Sequence, residues 1–219
     1  MTCLEILTWA RGPGLALALA VGVFGVLLRI IEIQALGRKP DFATPRDVTP
    51  GSGWRTILSR SLPPPGMMKR APLTYFGGYV FHIGLAIAVF GFAPHIELIR
   101  GLFGIRWPGL PNLVVDLATI AAIAAMVAVL AGRLADPVKR MLSGFGDWLA
   151  WALTFAPLVT GYAAFHHMTE DYTLLLAIHI LSVDLLLALL PFTKLFHVVS
   201  LFVSRWYNGD IAGRKGVAA

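Results

Sequence analysis

An all-α bundle of five transmembrane helices is the fold this sequence predicts, and three observations predict it. Of 219 residues, 57% are hydrophobic and only 14% charged, whereas a soluble domain carries about 25% charged residues. The apolar residues fall into five runs of about 20, the length that covers a ~30 Å hydrocarbon core at 1.5 Å per residue. The basic residues gather in alternate connectors between those runs, which is the asymmetry of a multi-pass membrane protein.

The chain reads as one membrane domain over residues 1–219, with spans at about 14–35, 73–98, 112–132, 145–165 and 173–203. Residues 1–13 form a short head, with Trp9 suited to a membrane–water interface. Arg29 and Glu32 close the first span three residues apart, the spacing of a terminal charged pair. The loop 37–72 is rich in Pro and Gly and cannot span. It carries seven basic residues (Arg38, Lys39, Arg46, Arg55, Arg60, Lys69, Arg70) against Asp41 and Asp47. Residues 54–62 suit a short surface helix, and the loop reads equally as a docking platform or a linker. The second span is rich in small residues, among them Gly77, Gly78, Gly84 and Gly91, which let a helix or a flat ligand approach closely. Residues 133–144 and the tail carry three basic residues each, against Arg11, Arg100 and Arg106 on the other side. The positive-inside rule then places the N-terminus outside and the C-terminus in the cytoplasm of a bacterial inner membrane. The single Cys3 excludes a disulfide framework and a Cys-ligated zinc or iron–sulfur site within the chain. The positive charge lies in membrane-flanking loops, so nucleic acid is not the expected partner.

Histidines carry the chemistry. His179 and His197 are eighteen residues apart, about five helical turns, so one continuous helix would aim both the same way roughly 27 Å apart. An imidazole inside a bilayer is costly and usually functional. With the second and fifth spans antiparallel, His82 matches the depth of His197 and His95 that of His179. Two such levels point to axial ligation of two haem b groups; a single group, at His82 and His197, is the smaller version. An interhelical hydrogen bond is the bland alternative for any one of them. His166 and His167 read as loop residues. Lys194, three residues before His197, is placed to meet a haem propionate or to snorkel to the headgroups. Asp116 and Asp184 fall inside spans and read as interhelical hydrogen bonds, with a proton relay as the alternative.

These residues resemble a known pattern. FHIG around His82, the APH of Ala93 to His95, and HILSVDLLLALLPFTKLFHVVS with His179, Pro191, Lys194 and His197 in register are similar to the gamma subunit of membrane-bound respiratory nitrate reductase, a di-haem cytochrome b. The resemblance covers residues 73–205. It implies a membrane anchor that passes electrons between the quinone pool and a cytoplasmic iron–sulfur subunit with its catalytic partner. The chain departs from the pattern at Phe92, where the family places a second histidine ten residues after the one in FHIG. It also lacks a lysine in the turn 101–111, near which Arg100 and Arg106 stand, and its first connector is longer. It therefore reads as a divergent relative, and similar cytochromes anchor heterodisulfide-reductase-like and sulfur-metabolism complexes. A haem-poor structural anchor or small transporter subunit is the competing expectation.

Overall fold

The computed structural model describes residues 2–37, 42, 44–46, 52–63 and 66–217, all helix, turn or loop with no strand among them. Arg38, Lys39, Asp41, Asp47, Pro64 and Pro65 of the basic loop lie outside the described residues. Among the described residues five helices are long and apolar enough to cross a membrane: Cys3–Ala35, Pro72–Gly91, Asn112–Ala135, Phe145–Phe165 and Tyr172–Phe192. Large apolar side chains such as Phe24, Leu113 and Ile83 stay exposed on their outer faces, as a lipid-facing surface requires.

The first span is longer than its apolar run suggested. Thr2 caps α1 (Cys3–Trp9) in a reciprocal box with Glu5, and a π-helical turn (Ala10–Gly14) joins α1 directly to α2 (Leu15–Ala35). The head expected at the surface is therefore the first two turns of the helix. Pro13 explains the π turn, because proline has no N–H to give the carbonyl four residues back.

The loop folds in part. α3 (Ser52–Ser59) lies on the last helix, α11 (His197–Arg214), with Trp206 seated against Gly53. The Arg46 N–H donates to the Arg214 carbonyl and Arg205 donates to Ser61 Oγ. The first connector and the tail thus form one layer at one end of the bundle. The short α4 (Met67–Arg70) leads into α5 (Pro72–Gly91).

The expected second span breaks at Phe92, whose backbone is extended, and resumes as α6 (Ala93–Phe103). Pro94 sits in the first turn of α6, where its missing N–H costs nothing. Three of the carbonyls stranded at the end of α5 find donors. His95 Nδ1 reaches Ala88 O, Trp107 Nε1 donates to Phe90 O, and the Leu110 N–H donates to Gly91 O. That lowers the cost of ending a helix at membrane depth.

α7 (Asn112–Ala135), α8 (Pro137–Met141) and α9 (Phe145–Phe165) follow, then α10 (Tyr172–Leu189). One uninterrupted helix over 173–203 is not what forms. Pro191 and an extended Thr193 split it into α10, two 3₁₀ turns (Leu190–Phe192 and Lys194–Phe196) and α11, which begins at His197. Arg29 covers this second break by donating from Nε to Pro191 O, while its guanidinium pairs with Glu32 at 2.9 Å.

Packing runs in series. α5 lies along α7, α7 on α9, α9 on α10 and α10 on α2. A small core of Ala122, Met126 and Leu158, flanked by Phe81, Trp151 and Phe155, sits among α5, α7 and α9. Between α5 and α10 there is no comparable backbone approach. Four helices therefore form a ring with one seam left open.

Candidate functional site

The four candidate histidines face one another across that seam. His82, on α5, stands opposite His197, the first residue of α11, with ring centroids 6.1 Å apart and planes at 78°. His95, on α6, stands opposite His179, on α10, with centroids 6.2 Å apart and planes at 25°. The two helix breaks help make these meetings. The bend at Phe92 turns His95 back toward the seam, where its ring caps Ala88. The break at Pro191 starts α11 with the His197 ring beside its own preceding turn.

Each ring is held through the same nitrogen. Nδ1 of His82 lies 2.7 Å from Gly78 O, that of His95 2.8 Å from Ala88 O, and that of His197 2.8 Å from Lys194 O. A carbonyl only accepts, so Nδ1 carries the proton in these three. Nδ1 of His179 lies 3.3 Å from Thr160 Oγ1, whose own hydrogen is directed to Ala156 O at 2.7 Å. Nδ1 is again the donor. In all four rings the lone pair is then on Nε2. A backbone or hydroxyl partner on one nitrogen that fixes the other for a metal is the usual outer-shell arrangement of metal-bound histidine. His179 also needs a residue without a side chain beneath it, since a Cβ at Gly161 would lie 2.7 Å from its Cε1.

The separations can be compared with bond lengths. Two imidazoles on opposite sides of one metal ion, at about 2 Å per bond and about 1.1 Å from nitrogen to ring centre, have centroids about 6 Å apart. Both pairs match. Among the described residues no group of three or more His, Cys, Asp or Glu surrounds a common point. Each level offers two protein ligands, too few for a bare zinc ion but the number an iron in a macrocycle takes axially. His82 and His197 stay exposed although their rings face each other, with the Phe81 ring edge-on against His82 at 4.7 Å.

Other residues fall elsewhere. Phe92 packs edge-on against His95 and Phe165, lining the bend. Lys194 bonds Asp147 at 2.7 Å, with Arg133 3.6 Å from the same carboxylate. Asp147, at the entry of α9, stands forty-seven positions before Lys194, so no local pattern announces the pair. His166 bonds Asp116 at 3.1 Å, a tie between the turn after α9 and α7. His167 adopts a positive φ and stacks on Tyr172. Asp184 is buried on α10 without a partner for either carboxyl oxygen among the described residues. Arg100 and Arg106 both pair with Glu97.

No family model matches the chain, and no solved structure does. A curated protein of Nitratidesulfovibrio vulgaris strain Hildenborough is 36% identical over 151 residues, covering 68% of this chain. The chain spans 66% of that relative's length.

Proposed function

We propose that this multi-pass membrane protein is a haem b-containing anchor of a respiratory complex, moving electrons between the quinone pool and a cytoplasmic iron–sulfur and catalytic partner. One observation carries the reading. Two histidine pairs, each at a separation that one metal ion held by both rings would give, face an open seam, and every ring is anchored through Nδ1. The residues fit the group: His82 with His197 would hold one haem b, and His95 with His179 the other. Haem supplies one-electron transfer when bound.

The chain does the rest. The carbonyls of Gly78, Ala88 and Lys194 and the hydroxyl of Thr160 orient the rings and raise their basicity. Gly161 clears room for His179. Arg133 and Lys194, against the single Asp147, offer net positive charge near the first pair for a propionate. The basic first connector and tail, joined through α3 and α11, favour a cytoplasmic orientation by the positive-inside rule, with the N-terminus outside. They form the surface for the soluble partner. The bilayer is the bacterial inner membrane in this reading.

Visible spectroscopy of the purified protein tests it. Sharp reduced alpha bands and a pyridine haemochrome ratio of two haems per chain are expected. His82→Ala and His197→Ala should each remove the same haem, because the two residues would hold it together. His95→Ala and His179→Ala should each remove the other. A colourless preparation overturns the reading in favour of a haem-free anchor or transporter subunit.

A further inference from the structure

Polar side chains within the spans mostly satisfy themselves. Thr119, Thr154 and Thr160 return their hydroxyls to the carbonyl four residues back. Asp184 does not. It is 7% exposed, and neither carboxyl oxygen has a hydrogen-bond partner among the described residues. It lies about 18 Å from the start of its span and about 12 Å from the end, so the headgroups are out of reach.

What faces Asp184 is the π turn of the first span. Pro13 gives that turn a carbonyl but no N–H, so its backbone holds one acceptor more than it has donors. Gly14 makes the approach possible: a Cβ there would lie 3.1 Å from Asp184 Oδ2 and 2.8 Å from the Trp9 ring. The charged and titratable groups on the elements around α10 are otherwise placed. Glu5 of α1 accepts from the Thr2 N–H. Cys3 of α1 interacts with Asp171. Arg11 on the π turn is exposed. Arg29 and Glu32, at the far end of α2, pair with each other. Asp147 of α9 is held by Lys194 and Arg133. His179, on α10 itself, is turned to Thr160. A carboxylate with neither cation nor donor is strongly disfavoured at this depth. A carboxylic acid is not, and its O–H needs what the π turn has in excess, an acceptor.

We propose that Asp184 is a proton-binding site of the bilayer interior, its carboxyl kept in the acid form opposite the acceptor-rich π turn and exchanging its proton with water along that turn. On release the O–H bond breaks, the electron pair stays on the carboxyl oxygen and the proton passes to water; on uptake the sequence reverses. The proposal stands independently of haem.

Infrared spectroscopy of the full chain in lipid nanodiscs tests it. A protonated-acid carbonyl band above the amide I region should be present and should disappear in Asp184→Asn. Transfer to D₂O should shift the band, and Pro13→Ala, which supplies the missing N–H, should slow that shift about tenfold by suppressing local opening. Asp184→Glu should keep an acid band at a changed frequency, which serves if the Asn variant fails to fold. Four results overturn the proposal. They are the absence of a band specific to residue 184, a band that never shifts in D₂O, an exchange rate indifferent to Pro13→Ala, and loss of the band on replacing choline by sodium, which would make the site one for a metal cation.

Discussion

Gly161 shows how much a single atom decides. The His179 ring rests where any side chain at 161 would be, so Gly161→Val should push the ring off its Thr160 contact and out of line with His95. The expected outcome is a haemochrome ratio falling from two to one, the remaining haem being the one that His82→Ala removes. A second residue-scale expectation concerns Asp171, which caps α10 by accepting from the Leu174 N–H at 2.9 Å. That N–H first, and then the Cys3 thiol, hold its carboxyl below the usual carboxylate range. A carboxyl lowered in the folded state contributes fully above its unfolded value of about 3.9 and loses that contribution as pH falls through the lower folded value. Amide exchange at residues 174–175 should therefore accelerate in acid below that window, and Asp171→Ala should show the fast rate already at neutral pH.

Helices carry the next lesson, because the breaks and not the spans place the chemistry. Apolar periodicity located five spans, and the antiparallel order of the second and fifth assigned which histidine meets which. The two interruptions were harder to see. Pro191 lies in an unbroken apolar run, and hydropathy does not register that a proline disfavours helix in the residue before it and removes a donor. Pro94 is a local signal for a bend, yet the donors that stabilise the bend, Trp107 and Leu110, come from a turn more than a dozen residues away. The reach of Lys194 to Asp147 was hidden for the same reason, since partners distant in sequence leave no local pattern. Pro13 is a local signal for the π turn, but Trp9 suits an interface as well as a helix, so the head before Pro13 gives no sign in sequence that it continues the span. Trp107→Phe tests the bend. With the donor gone, Phe90 O is left unsatisfied at a cost of about 1–3 kcal/mol, and His95 should lose its fixed position. The His95–His179 level should then empty on mild heating while the His82–His197 level stays filled, followed by the alpha bands during a temperature ramp.

At the scale of the molecule, the contacts from Arg46 to Arg214 and from Arg205 to Ser61 put the first connector and the tail on one side of the bundle, which the charge count alone could only suggest. In a variant with Cys3 replaced by Ser, cysteines introduced at Ser59 and at Lys215 should react with an impermeant maleimide from the same face. Labelling should occur in inverted vesicles and not in intact cells. Reaction of the two from opposite faces would separate the layer the structure joins. Reaction of both from outside would leave the layer intact and reverse its orientation.

The open seam has a consequence for how the protein is made. Helices adjacent in the chain seal three edges of the ring as each follows the last into the bilayer, and only the edge between the first and last of the four waits. A flat prosthetic group entering sideways from the lipid has no loop to thread and no packed core to part. If both rungs are filled as proposed, metal bonds close the fourth edge in place of interlocked side chains. The finished ring would then owe its last closure to the cell's supply of that group, and chains made during a shortage would be ready-made substrates for membrane proteases.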